Sequence, residues 1–191
     1  MSTGDLLHPQ EREDAAEQVA FIMERASSWY AAHLLLFIGG LMFIPGVLAI
    51  TRLAGRRSRS SEFAGRILLF IGFGAFYGVF LFEMLMGRYV ADGADALAAT
   101  ALLQTFQSGW ILGVLMAAIA AFYAGVAVVT IALVRLGGLL RWSGLAFGIG
   151  FVLILAEIIT AEVLFSQVGN VVILAAGIGF ALEILRSSRA D

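Results

Sequence analysis

The sequence contains no cysteine and no lysine, only two prolines, and few charged side chains for its 191 residues. Without cysteine the chain cannot form disulfides, zinc–thiolate sites or iron–sulfur clusters. Charged residues make up 14% of the chain, whereas a typical soluble domain has roughly 25%. The net charge of −2 gives no basis for binding nucleic acid. These shortages exclude disulfide-rich, thiolate-metal and nucleic-acid-binding proteins.

Apolar residues are abundant, at 61% of the chain, and form long runs between short charged patches. Each crossing of a bilayer needs about 20 apolar residues. The pattern therefore predicts an all-α fold, a polytopic transmembrane helix bundle of about five spans embedded in the lipid bilayer. The predicted spans are 29–53, 63–87, 109–134, 143–165 and 168–185.

The first 28 residues are polar and acidic, and they predict an extracytoplasmic amphipathic helix or tail. Pro9 is followed by charged residues, which favours a helix start. Apolar residues then recur at spacings of three and four, which indicates one stripe on a helix. We expect this segment to join the first span as one long helix or a gently bent pair. The stripe comprises Ala15, Val19, Ile22, Met23, Ala26 and Tyr30.

The transmembrane bundle is predicted to cover residues 29–185, with 186–191 as a cytoplasmic tail. The region from 96 to 134 is nearly continuously apolar and corresponds to about 58 Å of helix, roughly twice the hydrocarbon thickness. Because 96–108 contains several polar residues, we interpret it as an outer helical extension of the third span. Residues 166–170 predict a tight turn between the last two spans.

Arginine distribution predicts the orientation. Counting alternate loops, nine arginines fall on one side and three on the other, and the arginine-rich side faces the cytoplasm. The C-terminus is therefore expected in the cytoplasm and the N-terminus outside, in a multi-pass protein of the plasma or inner membrane. Trp29 and Trp110 fall at predicted outer ends of spans, where interfacial aromatic rings prefer to lie.

Small residues four apart predict close helix packing, since backbone approach drives association in lipid. Such pairs within the bundle can pack against other spans of the same chain or against a second copy. The glycines expected to pack helices are Gly74, Gly78, Gly109, Gly113, Gly144 and Gly148.

Four ionisable residues inside the spans are the candidates for function, because such groups are costly in a membrane. Under the expected orientation, His33, Glu83, Glu157 and Glu162 all lie in the outer half of the bilayer. Gln107 adds a neutral polar group at the same level. Glu157 lies deepest and is the best single candidate.

These groups could serve three ends. They could bind a metal ion, with His33, Glu83, Glu157 and Glu162 as the candidate ligands. They could bind or relay protons, as carboxylates in low dielectric do. They could also cross-link helices by hydrogen bonds. The sequence identifies no cofactor and leaves all three open.

No catalytic motif is present, so we expect no catalysis. The leading hypothesis is an accessory or structural subunit of a membrane complex, or a homo-oligomer, that contacts a membrane protein partner or a second copy. The first alternative is a small transporter or a ligand- or ion-binding protein with an outward-facing acidic pocket. The second is a membrane metalloenzyme.

Overall fold

A computed structural model describes residues 14–160 and 162–187. Within these ranges the chain forms six helices and no strands. Five of the helices are long and apolar enough to cross a membrane. The prediction of an all-α membrane protein with five spans is therefore confirmed. Pro9, His8 and the arginines at 12 and 189 lie outside the described residues.

The helices follow one another with short connections. In chain order they are α1 (Ala15–Gly55), α2 (Arg59–Ala91), α3 (Ala96–Phe106), α4 (Gly109–Val134), α5 (Gly138–Thr160) and α6 (Val163–Ser187).

Helix α1 combines the amphipathic segment with the first span, and it bends at Arg25. The backbone of Arg25 leaves the helical region, with φ −131° and ψ 24°. The Ser28 hydroxyl donates to the Arg25 carbonyl at 2.9 Å. Three residues of the predicted stripe, Ala15, Val19 and Ile22, are buried before the bend, whereas Met23 is exposed. α1 is thus a bent pair of helical segments.

Helix α3 is separate from α4 rather than continuous with it. Asp95 begins α3 by accepting a hydrogen bond from the Ala98 amide at 3.2 Å. The helix ends at Gln107, whose amide still bonds to the Leu103 carbonyl. Gly109 then takes a φ of +63°, which favours glycine. The extension predicted at 96–108 is helical, but the chain turns before the third span begins.

The turn predicted at 166–170 is wrong, and the last two spans meet earlier. α5 ends at Thr160 and α6 begins at Val163, so residues 166–170 are helical. Gly169 lies on α6 against Gly150 of α5, and a methyl group on Gly169 would come 2.7 Å from the Gly150 carbonyl oxygen. The glycine that resembled a turn residue instead permits close helix packing.

The chain divides into two compact units. Unit 1 contains the residues up to Ile44 together with Phe73–Ile119, and unit 2 contains Pro45–Gly72 together with the residues from Ala120 onward. The core of unit 1 joins the N-terminal part of α1 to the end of α2 and to α3. Its buried residues are Ala15, Val19, Ile22, Trp29, Met86, Val90, Ala99 and Leu103.

Close glycine contacts characterise unit 2. A methyl group added to Gly144 would lie 2.8 Å from Leu133 Cβ, and one added to Gly148 would lie 2.9 Å from Thr130 Cγ2. A methyl group added to Gly125 would lie 2.9 Å from the Leu69 amide nitrogen. Phenylalanine rings fill the spaces between these contacts, as in the edge-to-face pair of Phe147 and Phe151.

The other predicted packing glycines make no such contact. Among the described residues, nothing lies within 4 Å of a methyl group built on Gly74, Gly78, Gly109 or Gly113. Gly109 serves the turn before α4 instead. Near the end of α6, Glu183 contacts Arg56 at 3.5 Å.

Candidate functional site

The structure brings two of the predicted site residues together inside unit 1. His33 lies on α1 and Glu83 on α2, and the His33 Nε2 atom lies 2.6 Å from Glu83 Oε2. The His33 side chain is fully buried, whereas that of Glu83 is 14% exposed. Glu83 is eight residues before the end of α2, or about 12 Å along the helix axis. The predicted span ends at residue 87, so Glu83 lies about one helical turn inside it.

Trp29 holds both members of the pair. It precedes His33 by one helical turn, and its carbonyl oxygen lies 2.8 Å from His33 Nδ1. The indole Nε1–H donates to the backbone carbonyl of Glu83 at 2.9 Å. The indole and imidazole rings are also in contact, with centroids 4.4 Å apart. One tryptophan thus positions the histidine and ties α1 to α2.

Trp29 is 1% exposed, so its ring packs against protein; its position at the membrane interface stays a prediction. Gly87 on α2 makes the burial possible. A methyl group on Gly87 would lie 2.8 Å from Trp29 Cδ1 and 3.5 Å from the Tyr30 amide. The missing side chain at Gly87 leaves the room that the indole ring occupies.

The distances within the pair allow it to share one proton. A carbonyl oxygen only accepts, so the contact between His33 Nδ1 and the Trp29 carbonyl assigns a proton to Nδ1. His33 Nε2 then faces the Glu83 carboxylate at 2.6 Å. A proton shared between these two atoms gives either imidazolium with carboxylate or imidazole with carboxylic acid, and the pair is neutral in both forms.

A small cavity lies beside Glu83. Its volume of ≈ 20 Å³ is room for about one water molecule. All eight lining residues belong to unit 1. They are Gln18, Ile22, Trp29, Phe82, Glu83, Met86, Leu103 and Gln107.

Besides Glu83, the cavity is lined by one polar residue that was predicted and by one that sequence reasoning missed. Gln107, a predicted site residue, is exposed at the end of α3. Gln18 was missed because it lies in the polar segment before the first span, yet it is only 3% exposed. Its position three residues after Ala15 and four before Ile22 places it on the same buried face. That spacing could have identified it.

The other two predicted residues belong to unit 2. Glu157, on α5, is half-buried and lies within electrostatic range of Tyr123. Glu162 is exposed between α5 and α6, and its carbonyl accepts the Phe165 amide at 3.0 Å. A carboxylate at this place is favourable for the positive end of the α6 dipole. Within the described chain, no three His, Asp, Glu or Cys side chains come together as a metal site.

Comparison with known protein families, with curated proteins and with solved structures finds no match to this chain.

Proposed function

We propose that this small multi-pass membrane protein binds protons reversibly at the His33–Glu83 pair and responds to acidity through the packing of α1 against α2. The observation that carries the proposal is the 2.6 Å contact between His33 Nε2 and Glu83 Oε2 in a buried, apolar setting. From the arginine count, we further propose that the protein lies in the cell membrane with its N-terminus outside.

The chemistry of the pair explains why it would sense protons. With one shared proton the pair is neutral, so its burial is tolerated. Gain of a second proton leaves imidazolium beside carboxylic acid, and loss of the shared proton leaves a bare carboxylate. Either change creates a net charge in an apolar region, which is strongly unfavourable. Because Trp29 bonds to both partners, relief of that charge would loosen α1 from α2.

Among the described residues that line the cavity beside the pair, Glu83 is the one titratable side chain. Farther along α2, Arg88 and Asp92 pair with each other at 2.8 Å. On α1, the Arg25 guanidinium lies over the Phe21 ring, 4.8 Å from its centroid. We therefore assign the proposed pH response to His33 and Glu83.

Trp29 emission provides the test. Trp110 and Trp142 are 78% and 67% exposed, so phenylalanine at both leaves Trp29 as the single reporter. In nanodiscs we expect its emission to change as the pH is lowered, because a second proton gives the buried pair a net charge. His33→Gln and Glu83→Gln should each abolish the change.

The matched control is Glu157→Gln, which removes a carboxylate from unit 2 and should leave the response intact. A flat emission profile in the wild-type background would overturn the proposal. So would an unchanged profile in Glu83→Gln. If only Glu157→Gln abolished the response, the proton-binding residue would be Glu157, the best single candidate from the sequence.

A second candidate function is that of an accessory subunit or homo-oligomer. It is favoured by one exposed face of α2 within unit 1, which carries Gly74 and Gly78 followed by the large apolar residues Leu81 and Leu85. Small residues four apart promote helix association in lipid.

Cross-linking in membranes and particle mass in mild detergent test this second function. Association should weaken in Gly74→Leu and Gly78→Leu. It should persist in Gly39→Leu, on α1, where an added methyl group likewise meets nothing within 4 Å. A monomer that co-purifies with no partner would contradict it.

A further inference from the structure

The cavity approaches the His33–Glu83 pair from one side only in the described part of the chain. Glu83 lines it, whereas His33 does not. Glu83 is also the member with an exposed fraction, 14% against 0% for His33. Any proton that enters from the cavity therefore meets Glu83 first.

The size and lining of the cavity match a water molecule. A bound water needs about 10–15 Å³ of space and two to four polar partners, and the cavity offers ≈ 20 Å³. Three polar side chains line it, those of Gln18 on α1, Glu83 on α2 and Gln107 at the end of α3. An amide can donate and accept, and a carboxylate accepts. Together they can satisfy both protons and a lone pair of one water.

The polar groups also lead from the surface inward. Gln107 is exposed, Gln18 is 3% exposed, and Glu83 contacts the fully buried His33. Four of the remaining lining residues are apolar: Ile22, Phe82, Met86 and Leu103. The fifth is Trp29, whose indole N–H already donates to the Glu83 carbonyl.

We infer that this cavity binds one water molecule held by Gln18, Gln107 and Glu83, and that protons reach the His33–Glu83 pair through it. The water donates one proton to the Glu83 carboxylate and takes one from solvent at the Gln107 end, so it is regenerated. Glu83 then shares its proton with His33 Nε2. The inference rests on the proposed proton site and adds its route of access.

Exchange of the His33 ring proton with solvent tests the route. The chain has two histidines, so ¹⁵N-histidine labelling of a His8→Gln background reports on His33 alone. Gln107→Leu removes one partner of the water. We expect roughly tenfold slower exchange, as the loss of one hydrogen bond implies. Gln104→Leu, the same substitution on an exposed part of α3 outside the cavity lining, should leave the rate unchanged.

A second variant gives the opposite expectation. Gln107→Glu keeps a polar group and adds a proton carrier, so exchange should remain as fast as in the parent or become faster. Equal rates in Gln107→Leu and Gln104→Leu would overturn the route. The measurement is made at constant pH and does not require a titration. It can therefore fail while the Trp29 pH response stands, and the reverse also holds.

Discussion

The two units of this protein are stabilised by different chemistry. In unit 1, helices meet through a tryptophan, a histidine and a carboxylate, whose contacts are 2.6–2.9 Å long. In unit 2, helices meet through glycines, and α5 and α6 approach so closely that a methyl group on Gly169 would come 2.7 Å from the Gly150 carbonyl. Both arrangements answer the same problem, since apolar burial alone does not hold helices together in lipid.

The difference has a functional meaning. Glycine contacts depend on shape and do not change with acidity. A polar pair depends on its protons, and its energy changes whenever a proton is gained or lost. Of these two kinds of contact, the one in unit 1 can respond to a signal, whereas the one in unit 2 provides a constant structure.

The largest expected effect is the loss of the polar contact. Glu83→Ala leaves His33 buried without its carboxylate, and removal of one partner of a buried pair costs about 3–5 kcal/mol. The free energy of unfolding, measured with SDS in mixed micelles, should fall by this order. Glu162→Ala, which alters an exposed carboxylate at the start of α6, should change it by less than about 1 kcal/mol. If the two variants lost the same free energy of unfolding, the buried polar contact of unit 1 would have no special role in stability.

A glycine in unit 2 should show the next largest effect. Gly169→Ala forces a methyl group against the Gly150 backbone, and such overpacking costs about 1–3 kcal/mol. The same SDS unfolding measures it. Gly113→Ala is the control because its added methyl group meets nothing within 4 Å, so its stability should be unchanged or slightly higher. If Gly169→Ala left the free energy of unfolding unchanged, the close approach of α5 and α6 would not be needed for stability.

The smallest effect is expected where both kinds of contact meet, at Gly87. An alanine there would press on Trp29 Cδ1, and a slight shift of the ring should limit the loss to about 1 kcal/mol. The emission of a protein with Trp29 alone should nevertheless change, because the indole moves relative to His33. Gly78→Ala, on the same helix but with an open surrounding, should leave emission unaltered.

The number of spans could be predicted from the sequence because apolar run length depends on the bilayer and not on tertiary contacts. The boundary between α5 and α6 could not, since Gly169 has the same appearance in a turn as in a packed helix. Trp29 was placed at the interface because tryptophan often lies there. Its spacing of four residues from His33, one turn of helix, was the available signal that the two rings meet.

The candidate site was only partly predictable. His33 lies three residues after Tyr30, the last residue of the apolar stripe of α1, and it is fully buried. The sequence grouped His33 with Glu83, Glu157 and Glu162 only because all four are expected at a similar depth in the bilayer. Which carboxylate it contacts depends on the rotation of α1 and α2 about their axes, and no local pattern specifies that. Proton binding at these residues stays a prediction.

The short connection between α5 and α6 has a consequence for biogenesis. Only two residues separate Thr160, the end of α5, from Val163, the start of α6. This connection is too short for α6 to remain outside the bilayer after α5 has crossed it. The two should insert as a hairpin. In the orientation proposed above, the combined apolar length of the hairpin offsets the cost of carrying Glu162 through the membrane, about 2.5–3.5 kcal/mol for a carboxylate at the bilayer centre on insertion scales.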